Sequence, residues 1–211
     1  MRWGARFIHR SRTLQRSGIL TRLSDDKSIA NQRQKPLAVK AEKMATMDDD
    51  EGPQLVHIAT LGETPLPSKL LGVALILKIP EAVNPATARL ADWMSLCSDQ
   101  ECALITASMS TNGEDLPPNG VDGFVSFDMA ADRALREDFP DMQIIAANLR
   151  SRDAAMQAGE MGADALFFGD LRAEDAAGMQ ASLDQDLAEW WVEMMEVPCI
   201  VPVASPDEDP D

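Results

Sequence analysis

Beyond residue 53 the chain is a succession of short apolar runs separated by helix-period or turn-rich stretches. Its clearest unit lies between Gln143 and Gly169. Gln143–Ala147 is an apolar run of the length of a strand buried on both faces. From Ser151 or Arg152 to Met161, the residues Ala154, Ala155, Ala158 and Met161 recur at three- and four-residue spacing, the single stripe of an amphipathic helix. Gly162 stands where such a helix ends and is expected in the left-handed conformation that glycine adopts freely. Ala165–Phe168 is a second apolar strand. A helix joining two buried strands predicts a right-handed crossover in a parallel sheet.

The same pattern places strands at Leu55–Ala59, Val73–Ile79, Ala103–Thr106, Gly123–Phe127 and Cys199–Val203, seven in all. A helix is expected from about Pro85 to Leu96, with Ala88, Ala91 and Trp93 at helical spacing. Asn112–Gly120, NGEDLPPNG, reads as turn and loop with little room for a helix. After Val203 the chain continues as an acidic, proline-containing tail, residues 204–211.

Charge splits the chain near residue 43. Residues 1–43 hold eleven Lys or Arg against three Asp or Glu, a balance of +8, and the remainder holds eight against 32, a balance of −24. Two stretches so different are not expected to form one folded unit. The basic leader has no apolar run of secretory length, although its Ser and Arg content has some character of a transit peptide. The plainer account takes it as a disordered arm or an over-extended gene start, with Met44 or Met47 as the true beginning. On that account residues 1–43 are unpacked and dispensable for stability.

Composition narrows the chemistry. The chain of 211 residues suffices for one domain with a substantial core. It contains no run of eighteen apolar residues, so no membrane span is expected; nucleic acid is not expected as a partner either. Cys97, Cys102 and Cys199 are odd in number and match no zinc spacing, which reads as reduced, chemically silent thiols in a cytoplasmic protein. With His9 and His57 alone, histidine acid-base catalysis has little to draw on.

Two motifs carry a resemblance. The A-x3-GAD-x3-FG pattern from Ala158 to Gly169 and the WW-x3-M-x2-P run from Trp190 to Pro198 resemble thiamine phosphate synthase, in particular a divergent bacterial branch of that family. The resemblance covers roughly residues 54 to 203 and is strongest after Gln143. It implies an α/β fold of the TIM-type (β/α)8 barrel over residues 44–203, one that here stops after the seventh strand. A barrel missing its last strand leaves the first and seventh strand edges unpaired, so that a partner or second copy closes the gap, the tail covers it, or the chain is a truncated relative.

The resemblance also implies a reaction: joining a pyrimidine diphosphate to a thiazole phosphate with loss of pyrophosphate, in the presence of Mg2+. Such barrels place their sites at the C-terminal ends of the strands. There, most of the family's motif residues are replaced. Lys78 in ILKIPEA stands for an arginine, without the glutamine before it or the lysine after it. Thr106-Ala107 replaces an Asn-Asp pair, removing a metal carboxylate. Asp128 and Asp132 lie near, though not on, the spacing of the second metal-binding Asp. Asn148 replaces a serine and can still hydrogen-bond a phosphate. Gly169 at the end of its strand is expected to admit a ligand's close approach. In GDLRAEDAAGMQ, Arg172 stands alone among Asp170, Glu174 and Asp175, where the family has Thr and Lys. Val203-Ala204 replaces a double glycine.

Two readings follow. One is a thiamine phosphate synthase-like protein of thiamine biosynthesis with impaired or lost catalysis, in which Lys78, Asn148, Gly169 and Arg172 would contact the phosphorylated pyrimidine and thiazole precursors and Asp128 a metal. The alternative is a non-catalytic barrel scaffold that binds a small molecule or a protein.

Overall fold

The structure, a computed structural model, describes the backbone of residues 3–8 and, with their side chains for the most part, residues 54–70, 72–85, 89–110, 117–129 and 135–203. The strands are β1 (Trp3–Ile8), β2 (Gln54–Thr60), β3 (Ala74–Ile79), β4 (Ala103–Ser108), β5 (Gly123–Ser126), β6 (Gln143–Ala146), β7 (Ala165–Phe167) and β8 (Cys199–Val203). The helices are α1 (Leu90–Asp99), α2 (Leu135–Asp138), α3 (Arg152–Glu160), α4 (Ala176–Ala181) and α5 (Gln185–Met194). From β2 to β8 each strand pairs in parallel with the next, so all seven expected strands form one curved parallel sheet of the TIM type.

Among the described residues there is no eighth parallel strand, and an antiparallel one fills its place. β1 pairs with β2, Ala5 opposite Val56, and with β8, Ala5 opposite Pro202, which closes the barrel. This departs from the expectation that residues 1–43 lack structure. The physical reason is the unpaired backbone of two strand edges, which a short extended segment satisfies without needing a periodic apolar stripe of its own. The edges foreseen as a docking site for a second copy are therefore occupied. Residues 9–53 and the acidic tail, with Met44, Met47 and His9, lie outside the described residues.

Period-two alternation sorts the strand residues into two packing layers. Val56, Ile58, Ala74, Ile76, Ile105, Val125, Ile145, Phe167 and Ile200 pack together as the barrel interior. Their neighbours in sequence face the helices. Leu75, Leu77 and Leu104 meet Leu90, Trp93 and Cys97 around α1. Ile144, Leu166 and Phe168 meet Ala155 and Ala158 of α3 and Leu187 and Trp191 of α5.

Trp191 is a packing residue. Its ring lies edge-on to Phe168 with centroids 6.2 Å apart, and its Nε1 donates to the Val197 carbonyl at 2.7 Å. Cys97, Cys102 and Cys199 are all buried. The helix expected from Pro85 begins only at Leu90, after Arg89 in the left-handed region, while Ala88 is not described. Among the described residues no helix is long and apolar enough to cross a membrane.

One turn device occurs twice at the N-terminal end of the barrel. Gly120-Val121-Asp122 precedes β5 and Gly162-Ala163-Asp164 precedes β7, each with a glycine at positive φ, +88° and +90°. In both the middle residue is buried. Asp122 exchanges hydrogen bonds with Leu104 of β4: its amide donates to the Leu104 carbonyl at 2.9 Å, and its Oδ2 accepts from the Leu104 amide at 2.8 Å. Asp164 does the same with Ile144 of β6, with both distances 2.8 Å. The GAD motif thus has a structural explanation, since its carboxylate holds the entry of one strand against the entry of the next. Arg136 of α2 reinforces the second copy, donating to Asp164 Oδ2 and the Gly162 carbonyl at 2.6 Å each and to the Met142 carbonyl at 2.9 Å.

Candidate functional site

The C-terminal mouth is where the candidate residues belong, and the chain itself fills most of it. Lys78 continues the inward phase of Ala74 and Ile76, so its side chain runs up the inside of the barrel. Only 6% of it is exposed. Its Nζ donates to the Ala173 carbonyl at 2.7 Å. Burial pushes the amine below the ordinary lysine range, and the carboxylates of Glu63, Asp170 and Glu174 pull it partly back.

The segment that reaches Lys78, Asp170–Asp175, is a self-capped turn. Its acidic residues have local work. Asp170 Oδ1 accepts from the Arg172 amide at 3.0 Å, and its carbonyl accepts from the Ala173 amide at 3.0 Å. Asp175 is the N-cap of α4, accepting from the Gly178 amide at 2.8 Å. Ser182 closes the unit: its Oγ accepts from the Asp170 amide and donates to the Met179 carbonyl, both at 2.6 Å.

This turn drives apolar side chains into the barrel. Leu171 is 1% exposed and packs in the interior cluster with Ala176 and Met179, against Ile58, Phe167 and Ile200 and the partly buried Phe127 and Ala173. Where the resemblance places a diphosphate loop, this chain buries Leu171 in the interior cluster.

The other candidates are placed accordingly. Arg172 is exposed, with its guanidinium carbon 3.8 Å from the centroid of the Phe127 ring, a cation–π contact. Gly169 has φ +127°, and a Cβ there would stand 3.1 Å from the Met179 carbonyl oxygen and 3.2 Å from Pro202 Cγ. The close approach that glycine permits is therefore made by α4 and β8 of the same chain. Asn148 follows β6 in the left-handed region at φ +61° and is exposed, its Oδ1 accepting from Arg150 Nε at 3.2 Å. Asp128, past the end of β5, is exposed, and its amide donates to Ser126 Oγ at 3.3 Å. Asp132 is not described.

The structure brings Lys78 and the Arg172 turn together. Among the described residues no contact links Asn148 to either. Nor, among them, does any group of three or more His, Cys, Asp or Glu gather. Thr106 is buried and Ala107 lies beside it on β4, so no carboxylate stands where the resemblance has an Asn-Asp pair.

Leu171, Phe127 and Glu63 are the mouth residues that the sequence reading passed over. Leu171 had a signal: it is the single large apolar side chain in DLRAED, a position that a solvated loop has no reason to make apolar.

Comparison with known proteins returns one short match. A thiamine-phosphate synthase of Rhodospirillum centenum is 44% identical over 50 residues, 24% of this chain and 24% of that protein. The match therefore spans about a quarter of the relative's length. No protein-family model matches the chain, and no solved structure does.

Proposed function

We propose that this chain is a divergent relative of thiamine phosphate synthase that has lost the joining of a pyrimidine diphosphate to a thiazole phosphate and keeps the barrel as a scaffold. The kinship draws on the short identity to the Rhodospirillum enzyme and on the two sequence motifs. The loss rests on one observation: Leu171 and the Ala173 carbonyl occupy the mouth, and the buried amine is committed to that carbonyl.

Magnitudes favour this reading. Re-exposing a buried leucine costs about 1.5–3 kcal/mol and giving up a hydrogen bond to a charged group a further ~1.5–3 kcal/mol. An opening that costs about 3–6 kcal/mol leaves on the order of one molecule in 10² to 10⁴ open, and apparent affinity for anything bound inside falls by the same factor. Even when open, the mouth offers a diphosphate one buried amine and one arginine among Glu63, Asp170 and Glu174, so repulsion stands where a leaving group needs attraction.

The test is direct: purified protein, both phosphorylated precursors and Mg2+, with thiamine phosphate measured as product. No product is expected. Turnover that disappears in Lys78→Ala or Arg172→Ala would return the chain to the working transferases.

A further inference from the structure

The end of α1 carries two thiols that the barrel mouth does not use. Glu101 stands there in the left-handed region at φ +53°, a place that glycine fills at most helix ends of this kind. Its amide donates to the Ser98 carbonyl at 3.4 Å, and the Cys102 amide donates to the Cys97 carbonyl at 2.9 Å. These two bonds form a Schellman cap, in which the residue after the left-handed one commonly packs its side chain against the residue five positions earlier. Here that pair is Cys102 and Cys97. Both are 1% exposed, and both lie in the cluster of Leu90, Trp93 and Leu104. The hydrogen bond also limits the separation of their backbones. With standard bond lengths, a carbonyl and an amide 2.9 Å apart hold their Cα atoms no more than about 6.8 Å apart, and bends at oxygen and nitrogen shorten this further. A disulfide needs about 4.4–6.8 Å between Cα atoms and side chains turned toward each other. The cap supplies the first condition and the shared cluster the second. Cys199 belongs to the other helix-facing cluster, with Phe168 and Trp191.

We propose that Cys97 and Cys102 are a redox pair: the cap of α1 accepts a disulfide between them, formed by exchange with a small-molecule disulfide such as oxidised glutathione. One cysteine thiolate attacks the oxidant and releases one glutathione. The other attacks the resulting mixed disulfide and releases the second, so the two thiol protons and two electrons leave with the two glutathione thiols. The new bond fastens the last turn of α1 to the residue that precedes β4. It spans Glu101, the position where a side chain stands in a backbone conformation that glycine adopts more readily. Because both sulfurs are buried, exchange waits on fraying of the helix end, and the property of the pair that the cap sets is its equilibrium. Cys199 has no part in the exchange.

The full-length chain, equilibrated in glutathione redox buffers with and without urea, provides the test. The native protein is expected to lose two of its three thiols and the mass of two hydrogens, with Cys199 still reduced. Cleavage after Glu101 should then leave two fragments that separate only when reductant is added. The equilibrium constant for forming the disulfide should be about ten-fold or more higher in the native chain than in urea, because the fold already holds the two thiols together. Helix content and cooperative unfolding should be unchanged in the oxidised form. A native constant no higher than that in urea overturns the proposal, since the cap would then resist the bond. So does oxidation that stops at mixed disulfides with glutathione, a disulfide that includes Cys199, or an oxidised chain that loses its helix content.

Discussion

The two ends of this barrel are built from similar residue types and do opposite things with them. At the N-terminal end Asp122 and Asp164 each satisfy a strand amide, and Arg136 bridges a carboxylate and three carbonyls. These charges are bound to the backbone that they stabilise. At the C-terminal end Asp170 and Asp175 also cap backbone amides, but the structure they cap is a turn that turns Leu171 inward and meets Lys78. A carboxylate in a loop thus says little about function until its acceptor geometry is known. In this fold the C-terminal end is where chemistry is usually found and the N-terminal end where stability is. Here both ends are occupied with holding the fold.

If the mouth is truly part of the core, the largest effect belongs to Leu171. Leu171→Ala should cost about 2–4 kcal/mol in denaturant titration, the range for truncating a leucine that neighbours cannot collapse around. A change below about 0.5 kcal/mol would make the turn a loose lid and erase the contrast between the two ends.

At the opposite end, Asp164→Ala removes the acceptor of the Ile144 amide and the partner of Arg136 together. A loss of roughly 2–3 kcal/mol is expected, because the amide is left unpaired and the guanidinium keeps only carbonyl acceptors. Asp122→Ala, which strands the Leu104 amide alone, should cost less, about 1–2 kcal/mol. Equal losses would mean that Arg136 contributes nothing to the second copy of the device. Of similar size is Gly162→Val, at about 1–2 kcal/mol. The φ of +90° disfavours any β-branched side chain, while the nearest Arg136 atom, Nε at 3.5 Å from an added Cβ, leaves ordinary contact distance. A neutral result would place the strain of this turn elsewhere.

How much of this was legible follows the same division. Periodicity located all seven parallel strands, the α3 helix and the glycine just beyond it, because those features depend on local pattern. The doubled turn was also written in the sequence, as GVDGFVSFD and GADALFFGD, yet its meaning is a hydrogen bond between neighbouring strands, which no single segment displays. β1 was hidden for a different reason: the short segment WGARFI carries no alternation, and its place is set by edges made elsewhere in the chain. At the mouth, the contacts of Lys78, Gly169 and Arg172 with Ala173, Met179 and Phe127 could not be read from any one segment, because they are made by a turn whose polar composition disguises it.

The last test compares one buried group at the mouth with one in the helix-facing layer, through pH. Cys199 is fully buried on β8, and burial pushes its thiol from 9.0 up to about 11. Between those values the unfolded chain releases a proton that the folded chain keeps, so stability falls as pH rises, by on the order of 2 kcal/mol across the window. Lys78 has the opposite sign. Its folded amine titrates below 10.5, so between its folded pKa and 10.5 the unfolded chain holds the extra proton and stability rises with pH. In wild type the two slopes partly cancel above pH 9. Lys78→Met should therefore steepen the alkaline loss of stability, and Cys199→Ala should flatten it, with both profiles close to parallel with wild type from pH 6 to 7. If Lys78→Met leaves the alkaline slope unchanged, the amine is solvated in the folded state, and the turn does not seal the mouth.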